Sequence, residues 1–148
     1  MTDELARELD EQRVRDACMR YWAGFDRRDV ELFRAAFTED ATLSFFGGRR
    51  VVSVADMISG GGVTSNDFRY TCHTPANQVV KVTGDTATAD TLVVAHLVPE
   101  EGSILVRGLH YSDQLVRTEH GWRIRRREHT ALWQYDVDQV PAHVPGVE

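Results

Sequence analysis

Cysteine is scarce in this chain, with Cys18 and Cys72 the two in 148 residues. Such a pair suits a reducing compartment better than a disulfide framework, although a single bridge is compatible with the count, and both read as buried thiols. No apolar run approaches the ~18 residues needed to span a bilayer, and Met1 to Glu11 alternates acidic and polar residues with no apolar signal core. The expectation is a soluble, cytoplasmic protein without membrane contact. Positive charge is in the minority, 17 Lys+Arg against 23 Asp+Glu for a formal −6. That field repels phosphate backbones and argues against nucleic acid as a partner. Gly60-Gly61-Gly62 lacks the Lys-Ser/Thr of a phosphate loop, and neither a Gly-x-Ser-x-Gly elbow nor a His-Glu-x-x-His motif occurs. Cys72 and His73 are strand neighbours pointing to opposite faces, so they do not ligate one metal together. No metal site and no cofactor is read from the chain.

With 42% hydrophobic and 27% charged residues, the chain fits one ordinary domain. At this length roughly 68 to 70% of the unfolded surface is buried, enough to hold an internal cavity. Val14, Ala17, Cys18, Tyr21, Trp22 and Phe25 recur at helical spacing, predicting an amphipathic helix from about Asp10 to Phe25. Asp29 is a candidate N-cap for a second helix from Val30 to Phe37, ended by Thr38-Glu39-Asp40. Ala41 to Phe46 reads as a short strand closed by Gly47-Gly48, and Ser53 as the cap of a short helix through Met57 and Ile58. The period then changes to two. Cys72 to Thr83 and Thr86 to Val98 flank Gly84-Asp85, while Ile104 to Thr118 and Trp122 to Tyr135 flank Glu119-His120-Gly121, predicting two hairpins. Helices followed by long antiparallel strands give an α+β fold with the sheet curled around the helices, leaving an apolar pocket at the open end. Residues 1–136 make one domain; 137–148, with Pro141 and Pro145, form a tail that is either disordered or a lid.

Asp26 lies four residues after Trp22 on nearly the same helix face and at the C-terminal end, where the macrodipole disfavours a carboxylate by ~0.3 to 1 kcal/mol. Local structure does not account for it, although a pairing with Arg27, Arg28 or an arginine of a neighbouring strand that turns the chain outward is equally open. His73 opens the first long strand. His96 shares a face with Leu92 and Val94, and His110 shares one with Val106 and Gly108, which predicts that both look into the apolar interior. Each alone reads as a satisfied core histidine; three imidazoles converging with an acid are the parts of proton-transfer chemistry. Alternation puts Arg123, Arg125 and Arg127 opposite Trp122 and Ile124, on a solvated outer face. Trp133 and Tyr135 wall either a pocket or an oligomer interface.

Tyr21-Trp22-Ala23-Gly24-Phe25-Asp26-Arg27-Arg28-Asp29, Phe37-Thr38-Glu39-Asp40-Ala41-Thr42, a lone His73, Gly84-Asp85, Tyr111-Ser112-Asp113 and Gly121-Trp122-Arg123-Ile124 together resemble the SnoaL-like branch of the NTF2-like superfamily. The resemblance covers about residues 8 to 135 and implies a cone-shaped fold. Within the branch it is nearest to scytalone dehydratase and hexachlorocyclohexane dehydrochlorinase, which pair an Asp at the end of the first helix with a His on the sheet. Asp26 and His73 match those positions, and His96 is similar to a second strand histidine of the dehydratase. Where that family has tyrosines holding a water, this chain has Phe25 and Phe45 or Phe46, and a phenyl ring cannot orient water. Ketosteroid isomerase is also similar, through Tyr21, but its catalytic Asp is replaced by Phe45.

The resemblance implies a cofactor-independent lyase acting on a small, apolar, cyclic molecule, with His73 as base and Asp26 fixing its tautomer. Tyr21, His96 and His110 would steady developing charge, and Trp22 and Phe25 would shape the wall. A homo-oligomer, dimer or trimer, is expected. Two other classes stay open: a non-catalytic small-molecule binding domain, and a scaffold like the small subunit of ring-hydroxylating dioxygenases.

Overall fold

Helix α1 runs from Asp3 to Arg27, starting well before the apolar periodicity does. Thr2 caps it, its hydroxyl accepting from the Leu5 N–H at 3.2 Å, and Asp3 and Glu4 favour the positive end of the dipole. The early turns carry no buried side chain, with Leu5 and Leu9 exposed, so no periodic stripe announces them. The helix ends where Arg28 takes a left-handed conformation at φ 54°. These elements come from a computed structural model that describes residues 2–140; the tail prolines Pro141 and Pro145 lie outside the described residues.

Asp29 caps α2 (Val30–Arg34) as expected, accepting from the Leu32 N–H at 2.9 Å. The helix is shorter than the sequence predicts, because the Ala36 carbonyl accepts from the Ile124 N–H at 2.8 Å and draws the chain into β1 (Phe37–Phe45). Thr38, Glu39 and Asp40 therefore belong to a strand, across a register irregularity between Phe37 and Thr42. Phe46, Gly47 and Gly48, all at positive φ, turn the chain into β2 (Arg50–Ser53), a strand the sequence did not announce. Ser53 then caps α3 (Val54–Ser59), accepting from the Asp56 N–H at 3.0 Å. Gly24 is required where α2 lies on α1: a Cβ there would sit 2.4 Å from the Phe33 backbone nitrogen.

The four long strands are β3 (Tyr70–Thr83), β4 (Thr86–Val98), β5 (Ile104–Thr118) and β6 (Gly121–Val137). With β1 and β2 they form one curved, open sheet in the order β2-β1-β6-β5-β4-β3, antiparallel except where β1 runs parallel to β6. Helix α1 lies on the inner face. On β4 that face is Ala87, Ala89, Thr91, Val93, Ala95 and Leu97, small at most positions, which lets the helix approach. At the other end of the molecule, Asp10 ties α1 to the hairpins, accepting from both Arg117 Nη atoms at 2.8 and 2.6 Å and from Trp122 Nε1 at 3.1 Å. Those hydrogen bonds hold its carboxyl down at about 2.

Two expectations fail on β4 and β5. His96 is exposed on the outer face, and His110 points the same way, its Nε2 at 3.1 Å from Asp90 Oδ1. Cross-strand register sets Leu92 beside His110, Val94 beside Gly108 and His96 beside Val106, so all six share the face turned away from α1. Apolar residues mark both faces of β4, three alanines with Val93 and Leu97 inward and Leu92 and Val94 outward. Cys72 lies outward with them and is exposed; Cys18 is buried as expected, and both thiols are free.

Candidate active site

At the open end, the C-terminal turn of α1 and the inner face of β3 meet. Asp26 Oδ1 stands 2.6 Å from His73 Nδ1 and accepts from the Thr71 hydroxyl at 2.8 Å, while Oδ2 accepts from the His73 backbone N–H at 2.7 Å. Three donors from one strand thus converge on a carboxylate at a helix C-terminus. Burial pushes the Asp26 carboxyl up, but the ring hydrogen bond of His73, its charge, its backbone N–H and Thr71 outweigh that and leave the group below its ordinary value. The ionised carboxylate requires the hydrogen of a neutral His73 ring on Nδ1, which leaves Nε2 as an unprotonated base. The His73 side chain is only 8% exposed and lines a cavity of about 370 Å³.

The cavity wall is mostly apolar. Phe25 meets His73 edge-on at 5.5 Å between ring centres, and Phe45, Phe46 and Phe68 add three more phenyl rings. Tyr21 and Tyr111 form the floor, their ring centres 5.7 Å apart. Burial raises both phenols above their ordinary values, so each stays neutral and able to donate. Trp22, expected in the wall, lies instead in the core, 2% exposed and packed edge-on to Tyr111 at 5.4 Å. Helical geometry accounts for the difference: Tyr21 and Phe25, four apart, share the stripe that faces the cavity, and Trp22 is turned by one residue toward the sheet.

Beneath the tyrosines is a group placed by alternation on the solvated side. Arg127 is fully buried, donating from Nε and Nη2 to the two oxygens of Asp113 at 2.6 Å each. Its guanidinium carbon lies 4.2 Å from the ring centre of Tyr21, 4.7 Å from that of Tyr111 and 4.8 Å from that of Trp22. Three aromatic faces surround the cation. The parity changes because β6 carries an extra residue: Ile124 pairs with Leu115 and Arg126 with Gln114, leaving Arg125 as a bulge.

The same bulge brings His129 inward, a site residue the sequence reading omits. It lines the cavity with its ring centre 5.1 Å from that of Tyr111 and 5.4 Å from that of Phe45. Burial pushes the imidazole down to about 4, with the charges of His73, Arg107 and Arg127 adding to the effect. Its Nδ1 is buried without a hydrogen-bond partner among the described residues. The cavity therefore presents two imidazoles, His73 held on Asp26 and His129 packed against Tyr111 and Phe45. Among the described residues, no group of three His, Cys, Asp or Glu side chains could hold a metal, and no helix is long and apolar enough to cross a membrane.

A model of the SnoaL-like domain matches residues 6–128. The chain belongs to the SnoaL-like family. The uncharacterized protein Rv2910c of Mycobacterium tuberculosis is 29% identical over 131 residues, covering 84% of this SnoaL-like chain and 87% of the relative. Among solved structures, a Novosphingobium aromaticivorans protein named "Putative Scytalone Dehydratase" superposes with a TM-score of 0.77 at 22% identity, covering 100% of this chain and 99% of that one. Hexachlorocyclohexane dehydrochlorinase LinA-type3 from Novosphingobium barchaimii does so with a TM-score of 0.80 at 15% identity, covering 95% and 100%. At those identities the two structures show that the fold is shared.

Proposed function

We propose that the protein is a lyase that eliminates a leaving group from a small, largely apolar ring by proton abstraction. The observation that carries this reading is the Asp26–His73 contact of 2.6 Å opening onto an apolar cavity. His73 Nε2 takes a proton from a ring carbon; the C–H electron pair forms a carbon–carbon double bond, and the bond from the adjacent carbon to the leaving group breaks with its pair on that group. Asp26, ionised and fixed by Thr71, faces the imidazolium that results and lowers the energy of the charged state. His129 Nε2–H is the donor for the departing halide or oxygen, the part that His96 and His110 cannot play from the outer face. The dyad itself requires no cofactor for this step. The fold neighbours, one carrying a dehydratase name and one a dehydrochlorinase name, lend support to elimination as the reaction class. The exposed, stacked Trp133 and Tyr135 favour assembly as a homo-oligomer.

The test is turnover of hydroxylated or halogenated ring compounds by His73→Ala and Asp26→Asn. Each variant is expected to lose roughly 100-fold or more in kcat while keeping the wild-type circular dichroism spectrum. Undiminished turnover in both sinks the dyad. A ligand held in the cavity but never converted by the wild type favours the binding-domain reading.

A further inference from the structure

Arg107 is an unexpected residue to find on the inner side of β5. It precedes Leu109 and Tyr111 at two-residue spacing and lines the cavity with them, half-buried at the rim. Its Nε donates to Gln134 Oε1 at 3.2 Å, and register sets the two residues directly opposite each other on β5 and β6. That bond fixes the plane of the guanidinium while leaving both Nη groups without a protein acceptor among the described residues. Arg50, reaching the rim from β2 with its guanidinium carbon 5.9 Å from the Phe45 ring centre, likewise meets no carboxylate within 4.0 Å among those residues. By contrast Arg117 has Asp10 and Asp85, Arg126 has Glu128, and Arg127 has Asp113. Asp56 is the acid at the rim, leaving one net positive charge there from two arginines and one aspartate.

We propose that the cavity takes an apolar ring bearing a carboxylate, and that the two free Nη groups of Arg107 bind that carboxylate as a fork. A planar guanidinium held at Nε presents the geometry that a carboxylate accepts in two parallel bonds. The anion belongs at Arg107 and not beside the dyad, because the Asp26 carboxylate behind His73 repels a second negative charge. The ring then enters first, against Phe25 and Tyr111. Arg107 also adds to the positive field that keeps His129 neutral, so the guanidinium acts on the reacting region and not only on solvent. This inference rests on the lyase reading for what happens after binding, and on geometry alone for the binding itself.

Calorimetric titration with two matched pairs tests it: 1-cyclohexenecarboxylate against its carboxamide, and 1-naphthoate against its carboxamide. In the wild type the carboxylate of at least one pair should bind about 10-fold or more tightly than the amide, the range of a hydrogen bond to a charged group. Arg107→Gln should reduce the carboxylate to the affinity of the amide and leave the amide unchanged, with Arg107→Lys between the two. Equal affinity within both pairs, a preference that survives Arg107→Gln, or no binding by any of the four compounds overturns the proposal. Should Arg107→Gln fail to fold, the wild-type comparison and the lysine variant decide it. His73→Gln separates this inference from the lyase reading. A carboxylate preference kept in His73→Gln, beside a wild type that converts nothing, leaves the anion site standing and removes the lyase; turnover abolished in His73→Gln with no preference in the wild type does the reverse.

Discussion

A cation sealed under the floor of an apolar cavity is costly unless it is paired and hydrogen-bonded. Arg127 offsets the cost with two short bonds to Asp113 and three aromatic rings, while its remaining Nη1 has no acceptor among the described residues. The arrangement fixes Tyr21 and Tyr111 between a guanidinium below and the cavity above. His129 rests on the same floor and gives the fold a pH dependence. Its ordinary value of 6.5 applies to the unfolded chain and about 4 to the folded one, because burial penalises the imidazolium. Between those values the unfolded state holds a proton that the native state refuses, so stability rises with pH across this window. The contribution is fully present above 6.5 and is lost as pH falls toward 4, on the order of 3 kcal/mol in total. Urea unfolding at pH 7.5 and at pH 4.5 measures it. His129→Gln should lose less stability than the wild type between the two pH values, and an identical loss in both proteins would show that the imidazole does not titrate this way.

Strand parity decided which parts of the site could be read in advance. Asp26 and His73 were legible because a helix face and a strand start place them without counting across a long strand. On β4 the apolar Leu92 and Val94 face outward and took His96 with them, while on β5 the apolar Val106 lies on the outer face and took His110. On β6 no apolar residue separates Ile124 from Ala131, so nothing in the sequence marks which face the intervening side chains take. The extra residue at Arg125 inverts them, burying Arg127 and bringing His129 to the cavity. Arg125 is exposed, and Arg125→Ala keeps the residue count, so it should change stability by about 0.5 kcal/mol or less. Deleting Arg125 removes the bulge and turns Arg127 away from Asp113, which should cost about 3 to 5 kcal/mol or abolish folding. Denaturation midpoints of the two variants compare them; a deletion as mild as the alanine change would mean the bulge does not set the parity.

The order of helices and hairpins made the two-layer architecture legible, since an antiparallel sheet with one apolar face must be covered by whatever helices the chain supplies. What it left open is the other face. There the rows Val94, Gly108, Trp133 and His96, Val106, Tyr135 run side by side across β4, β5 and β6. Trp133 and Tyr135 stack at 6.0 Å with 10° between planes, 48% and 56% exposed. Gly108 is what lets Trp133 lie flat, because a Cβ there would come within 2.0 Å of its ring. Beside the aromatic rows stand Asp90 and His110, an acid and an imidazole on one surface. In the proposed homo-oligomer a two-fold axis through this face would set aromatic against aromatic. The homo-oligomer reading therefore places the contact on this face, away from the cavity. Trp133→Glu should shift the sedimenting species toward the monomer while carboxylate affinity in the cavity stays unchanged. A wild type that sediments as a monomer at micromolar concentration, or a Trp133→Glu protein that assembles as before, removes this face as the interface; assembly and ligand affinity lost together would place the interface across the cavity mouth instead.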